Sequence, residues 1–456
     1  MHRTSLFKSI VLCLLALVLL VPLSMIRGTI SERQERRETA RQDIARSWTG
    51  PQRLTGPILV VPYRRRHSVG GYDAKLRRTV DAGDVTEEVA HFLPETLQVR
   101  VGVETEERYR GLHRIPVYTA RFDLRGSFSV PPRAGVDAPA ESLTFGEPYL
   151  VLAVSDVRGL RSAPRLRWEG QERSFAPGTR TPLLAAGMHV PRIPVDLAQA
   201  HTYRFDAALG LLGMDGLEVA PIGRSTAVEM ASSWPHPSFT GDFLPAQRVV
   251  GTAGFRAKWQ TTHFATDSES RLREAERADR VERAPLIHNA LGVAFVDPVD
   301  VYVQTERSVK YGLLFVGLTF LVFFLFEVLR KLAIHPIQYT LLGLALTLFY
   351  LLLLSLSEHL SFGASYLIAA GASTALLGFY VRHVLRSAKG AAGFVALLAL
   401  LYGVLFVILR SEDYALLMGA VLLFVTLAVI MSLTRRLDWY QVGTQLRAGQ
   451  GDKTGA

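Results

Sequence analysis

Residues 326–372 read FEVLRKLAIHPIQYTLLGLALTLFYLLLLSLSEHLSFGASYLIAAGA. Positions 337–357 of this stretch carry no charge, and at about 1.5 Å of rise per residue some 20 such residues cross the roughly 30 Å hydrocarbon layer of a bilayer. Polar clusters bracket the run, RKLAIHPIQ before it and SLSEHLSF after it. Their composition raises the question of whether they form a site or only the ends of a helix.

Five further runs of the same kind lie at 9–26, 311–329, 362–381, 391–409 and 414–433. The chain therefore reads as a polytopic α-helical membrane protein with six spans. The first run follows Arg3 and Lys8, but it is long for a secretory h-region and no small-x-small cleavage site precedes Arg27, so an uncleaved anchor over 1–26 is expected. Its Cys13 is the single cysteine of the 456 residues. Intramolecular disulfides are excluded, and whatever folds outside the membrane does so without them.

Positive charge orients the bundle. With the N-terminus inside, Arg3, Lys8, Arg330, Lys331, Arg382, Arg386, Lys389, Arg435 and Arg436 fall on the cytoplasmic side, and Arg410 alone marks the short external loops. Both termini are then cytoplasmic and residues 27–309 are exported. That segment holds 38 basic and 35 acidic residues, the rest of the chain 13 and 6, so the overall +10 is mostly a matter of topology. Basic residues that flank spans without interleaved aromatics do not imply a nucleic-acid partner.

The exported part opens with a charge-rich run, 27–50, read as a solvated helical stalk rather than an interaction helix. From 51 to 309 short apolar or alternating stretches follow one another, ILVVPY, LQVRVGVET, IPVYTARFDLRGSFSV, YLVLAV, PRLRWEG and STAVEMASS, punctuated by Gly, Pro, Asp and Ser. This pattern predicts a large β-rich, sandwich-like domain. GLHRIPVYTA at Gly111 and GLEVAPIGRSTA at Gly216 share a short pattern, from which two similar lobes are expected. In the membrane half, YLIAAGA from Tyr366 and YALLMGA from Tyr414 suggest a repeated hairpin within the five-span bundle at 310–436. The tail, 437–456, is expected to be disordered.

The run at 325–370, together with GVAFVDPVDVYVQTERSVKYGLLFVGLTFLVFF, SSWPHPSFTGDFLP and SDVRGL, closely resembles the CreD family of bacterial inner-membrane proteins. The resemblance extends from the first run to the sixth and weakens after Trp439 and over 267–283. It implies a Gram-negative, multi-pass inner-membrane protein with a periplasmic domain, serving cell-envelope integrity. Relatives are linked to a two-component envelope and β-lactam stress response and to colicin tolerance. The resemblance supplies no reaction and no catalytic residue.

Chemistry is therefore sought in the residues. H-E-x-x-H, P-loop, CxxC and G-x-S-x-G patterns are absent from the sequence, so ATP hydrolysis and zinc proteolysis by the common motifs are unsupported and no cofactor or metal is expected. Three clusters remain as candidate interaction sites. Asp156 and Arg158 of SDVRGL follow an apolar strand, where a carboxylate accepting backbone hydrogen bonds is the commoner arrangement. Trp234, His236 and Phe239 of WPHPSF sit among prolines that fix the backbone, which suits either a binding loop or a packed turn. Ser355, Glu358 and His359 fall at i, i+3 and i+4 and would share one helix face, meeting the exported domain or a lipid headgroup, or only capping a hydrated end. Glu327 precedes Arg330 and Lys331 by three and four residues and reads as neutralised anchoring near the headgroups. His335-Pro336 fits a tight turn between helices.

Three functional classes are compatible with these residues. The first is a non-enzymatic envelope-integrity factor whose exported domain meets envelope proteins, lipid headgroups or peptidoglycan. The second is a transporter or lipid-handling protein, and the third a hydrolase with a dispersed site.

Overall fold

The computed structural model describes residues 17–68, 70–73, 78–81, 83–111, 113–277, 289–295, 301–330, 334–385, 387–410 and 415–435, with Val11, Leu14 and Leu15 in addition. Cys13, Lys331, Glu412, Tyr414, positions 9, 10, 12 and 16 of the first run and the tail 437–456 lie outside them. Two compact units result: Thr39–Pro298, and Met1–Glu38 with Val299–Ala456.

The first unit is built on two large sheets. One holds eight strands in the order Gln171–Ser174, Arg165–Trp168, His201–Met214, His113–Val130, Thr96–Arg110, Ser225–Ser232, Gly254–Thr262 and Gln247–Gly251. The second runs Ala176–Pro177, Gly187–Val190, Tyr149–Val154, Gln52–Arg66, Gly216–Val219, Leu291–Phe295 and Pro237–Gly241, with Val85–Phe92 and Leu143–Phe145 also paired to Gln52–Arg66.

Sequence pattern and position in the sheet agree. Ser225–Ser232 and Gly254–Thr262 alternate between buried and exposed positions, since one face meets the core and the other water. Ile58–Val61 and Tyr149–Val154 are buried at every position, the signature of strands covered on both faces. Gln52–Arg66 is the hub, flanked by Tyr149–Val154 and Leu143–Phe145 along one edge and by Gly216–Val219 and Val85–Phe92 along the other.

Facing residues of both sheets close into one core, with Val99, Phe122, Trp168 and Trp259 from the eight-stranded sheet against Leu59, Leu150 and Val293 from the other. The fold is a sandwich with a single core, so the expected pair of similar lobes is not found. Gly111 turns the tip of the long hairpin Thr96–Arg110/His113–Val130, with φ of +60° that only glycine adopts freely. Gly216 instead opens a four-residue strand parallel to Gln52–Arg66. The shared letters serve unrelated turns.

The second unit is helical. Helix α1, Leu20–Ser47, is continuous through the segment read as a stalk. It is followed by α2 Val301–Lys310, α3 Gly312–Arg330, α4 Pro336–Ser357, α5 Phe362–Val384, α6 Ala388–Arg410 and α7 Ala415–Thr434. Among the described residues, α4, α5 and α6 are long and apolar enough to cross a membrane. A fourth span results if α2 and α3, which meet at a 44° bend, count as one, and α7 carries the shorter apolar stretch Leu417–Val429. Its core gathers Phe323, Tyr339, Leu346, Phe349, Tyr366, Phe394 and Tyr402.

The reading of 27–50 as a solvated stalk needs correction. Ile30 is fully buried in the helical core, and Ala40 and Ile44, which belong to the sandwich unit, are also buried. Within the sandwich unit, Ile44, Ala45 and Trp48 pack on Ile115, Val117 and Met214, with Arg108 stacked over Trp48 at 4.6 Å. The buried apolar residues sit at the two ends of the run, Ile30 near its start and Ala40 and Ile44 near its end, with only polar residues over 31–39 between them.

Candidate functional site

The SLSEH cluster does not converge. α4 ends at Ser357, so Ser355 and His359 are exposed while Glu358 turns inward. Its carboxylate lies 3.3 Å from Arg33 Nε on α1, with side-chain exposures of 10% and 37%. The angle leaves Glu358 Oε1 without a true hydrogen bond, so the contact is an ion pair held by charge and packing. Sequence separation of more than three hundred residues hid this partner.

At the other end of α4, His335 is the N-cap. Its Nδ1 accepts from Ile337 N at 3.3 Å, Gln338 Oε1 accepts from His335 N at 3.3 Å, and Pro336 occupies the first turn, a reciprocal cap that satisfies otherwise orphaned donors. Glu327 is 2% exposed and accepts from Tyr339 Oη at 2.7 Å and Ile334 N at 3.1 Å. It is thus a buried staple between α3 and the start of α4, while the side chains of Arg330 and Lys331, with which its spacing paired it, lie outside the described residues. The missed signal was Tyr339, twelve residues on.

In the sandwich, Asp156 and Arg158 do come together. Asp156 caps the short 3-10 turn Val157–Gly159 by accepting from Arg158 N, and its carboxylate receives Arg158 Nε at 3.0 Å on both oxygens. Arg158 Nη1 continues to the Arg46 carbonyl at 2.8 Å, in the last turn of α1. The hydrogen-bonded guanidinium of Arg158 holds the Asp156 carboxyl below the usual range. Gln52 completes the clamp, donating to the Asp156 and Leu212 carbonyls and accepting from Asp156 N, each at 3.1 Å.

WPHPSF is a strand entry, not a free loop. Pro237–Gly241 pairs with Leu291–Phe295, and Phe239 packs edge-on against Phe255 and Trp259, both at 5.9 Å. Trp234 is half-buried against the core and donates from Nε1 to the His236 carbonyl at 3.1 Å, while the His236 ring is exposed. The aromatic faces are used inside the sandwich.

One feature escaped the sequence altogether. A cleft of about 590 Å³ opens beside the helix Ser268–Arg277, lined among others by Arg65, His91, Phe92, Ile222, Arg224 and Leu272. Arg224 bridges Glu95 and Glu269 at its wall, at 3.6 and 3.7 Å. Its size lies in the range of small-ligand sites. Its residues come from segments separated by more than a hundred positions, which no local motif reveals. Among the described residues no group of three or more His, Cys, Asp or Glu is placed to hold a metal ion.

A profile of the family described as "Inner membrane protein CreD" matches residues 4–440. The chain is 36% identical over 438 residues to the Inner membrane protein CreD of Escherichia coli (strain K12), covering 96% of this chain and 93% of that protein. Among solved structures, an M1 zinc metallopeptidase from Deinococcus radiodurans aligns at 10% identity over 44% of this chain and 42% of that one, with a TM-score of 0.22. A substrate-bound mutant of that peptidase aligns at 8% identity over 78% and 93%, again with a TM-score of 0.22. Likeness that low carries no argument about fold or activity. The profile match and the shared length rest on the whole chain, membrane helices and sandwich alike, and with them the chain belongs to the CreD family of inner membrane proteins.

Proposed function

We propose that this protein supports cell-envelope integrity under envelope stress without catalysing a reaction, its sandwich acting as a docking module for envelope components on the periplasmic side. In this reading the chain spans the membrane six times, both termini are cytoplasmic and residues 27–309 are exported. The observation that carries it is the presence, in one chain, of an apolar helical bundle and a large sandwich in which Asp156, Arg158, Trp234 and Phe239 are spent on internal structure. Asp156 and Arg158 clamp a helix end, and Phe239 and Trp234 pack against the core. The charged cleft beside Ser268–Arg277 is open to a partner.

In-cell photo-crosslinking from cleft positions such as Arg224 and Arg273 tests this. A protein, a lipid or a peptidoglycan adduct supports the docking module and names its class. Reproducible labelling of a single serine by a serine-directed probe on the purified protein would replace it with the dispersed hydrolase. One observation favours the second reading, a transporter or lipid-handling protein: the 44° break between α2 and α3, since discontinuous helices commonly line intramembrane sites.

A further inference from the structure

The two ends of the eight-stranded sheet are unlike. Gln171–Ser174 closes one of them and carries Glu172 and Arg173, the kind of charge by which native sheets keep an edge from pairing with another chain. Gln247–Gly251 closes the other. It pairs with Gly254–Thr262 and, among the described residues, with no other strand. All five of its positions are exposed, Val249 at 74% and Val250 at 49%, and Arg248 is its only charge.

The register fixes which of its backbone groups point outward. Thr252 and Ala253 form a two-residue turn between Gly251 and Gly254, and the closing residues of such a hairpin bond to each other. By alternation Val249 and Gln247 also face Gly254–Thr262. The Ala246 N–H donates to the Lys258 carbonyl at 2.8 Å although Gln247 is the residue in register with Lys258, and two residues opposite one make a β-bulge that ends the ladder there. Arg248 and Val250 therefore turn their N–H and C=O groups away from the sheet. The Val249 side chain stands on the solvent face, in register with the exposed Arg256.

Two outward residues in an extended edge are matched by another strand, and the composition of this one matches itself. With a two-fold axis through Val249, antiparallel pairing sets Arg248 opposite Val250 of the partner subunit, and Val250 opposite the partner's Arg248, so every outward group is used. An axis through Arg248 opposes like charges. An axis through Val250 sets Arg248 against Thr252 in the turn. The axis at Val249 avoids both, lays the two exposed valines side by side, and lets the Arg248 guanidinium keep its place 5.7 Å over the Phe239 ring. We infer that Gln247–Gly251 joins two copies of this chain by antiparallel strand pairing centred on Val249. One short strand from each copy makes a contact below the roughly 1,000 Å² of a stable soluble complex, which suits copies whose effective concentration is raised by confinement to one membrane. The contact is separate from the docking cleft, none of whose lining comes from Gln247–Gly251.

The test uses the full chain, with Cys13 changed to Ser, in inner-membrane vesicles oxidised with copper phenanthroline. The axis places Val249→Cys about 4.5 Å from its own copy, Cα to Cα, and Gln247→Cys roughly 14 Å from its own, beyond the roughly 7 Å reach of a disulfide. Gln247 lies opposite Gly251 of the partner subunit, and a Cβ added to Gly251 meets nothing within 4 Å. Val249→Cys is therefore expected to form a disulfide-linked dimer at least about 10-fold faster than Gln247→Cys or Gly251→Cys alone. Co-expressed Gln247→Cys and Gly251→Cys chains should link to each other within about 3-fold of the Val249→Cys rate. Adding Val249→Lys to both co-expressed chains sets two ammonium groups opposite each other and should slow that link at least about 10-fold. Equal rates for the three single cysteines, as random collision gives, overturn the pairing. So does a Val249→Cys disulfide to a different protein in place of a dimer, or a Val249→Lys change without effect.

Discussion

Changing Arg33 to Gln strips the buried Glu358 carboxylate of its counter-charge, and the cost is calculable. At 3.3 Å the bare attraction at an effective dielectric of 20 is about 5 kcal/mol. Arg33 is 37% exposed and Glu358 10%, which places the pair between surface ion pairs, worth about 0.2–1 kcal/mol, and buried ones, whose rupture costs about 3–5 kcal/mol. A coupling of roughly 1–2 kcal/mol is expected on that interpolation. The two single changes are unequal. Arg33→Gln leaves an acid that water barely reaches, so it costs more than Glu358→Gln, which frees a guanidinium already in contact with solvent. His359→Gln, on an exposed ring one residue away, stays within about 0.5 kcal/mol of the wild type. The assay is a double-mutant cycle on the full chain in detergent, read by thermal unfolding. Additivity of the two changes within about 0.3 kcal/mol would refute the ion pair as a stabilising contact.

A fragment covering 39–298 should be more stable than one starting at residue 50, because Ile44 and Trp48 cover Ile115, Val117 and Met214; circular dichroism should show mostly strand, and equal melting of the two fragments would disprove the docking of the helix end. The Asp156 carboxyl is held low by Arg158, so its contribution is present above the unfolded carboxyl value, about 3.9, and fades as pH falls through the folded one. The melting difference between wild type and Asp156→Asn should therefore shrink between pH 6 and about pH 3, and a constant difference contradicts it. In a chain with Cys13 replaced, Ser68→Cys and Ser361→Cys should react with an impermeant maleimide in cells with a permeabilised outer membrane, while Ser387→Cys reacts only after the inner membrane is broken; early labelling of Ser387→Cys overturns the six-span orientation.

The strands were legible wherever local pattern decides them. Ile58–Val61 and Tyr149–Val154 are apolar runs because both faces are covered, and Thr226, Val228 and Met230 alternate because one face is. The apolar helices were legible by length, and the His335-Pro336 turn by its residue types. What the sequence concealed was pairing at a distance. Glu327 takes a hydrogen bond from Tyr339, twelve residues on, and Glu358 pairs with Arg33 across almost the whole chain. The few apolar residues of 27–50, Ile30, Ala40 and Ile44, were outvoted by its charges. The cleft was invisible because its lining is assembled from the ends of elements, which carry no periodicity.

Sheet order also sets a clock. The strand Leu291–Phe295 sits between Gly216–Val219 and Pro237–Gly241, and among the described residues Pro237–Gly241 has no other neighbour in the sheet. The hub strand Gln52–Arg66 is made first, yet its sheet stays open until residue 295 has emerged. At about 5–20 residues per second, that interval is on the order of ten to fifty seconds of synthesis. During it the chain holds long non-local pairings unfulfilled, the slow and aggregation-exposed part of folding a β topology. The strand that ends the wait lies only a few residues before Val301, where α2 begins. Closure of the sandwich and delivery of the remaining helices to the membrane are thereby made nearly simultaneous events, and a pause in translation after residue 295 would separate them.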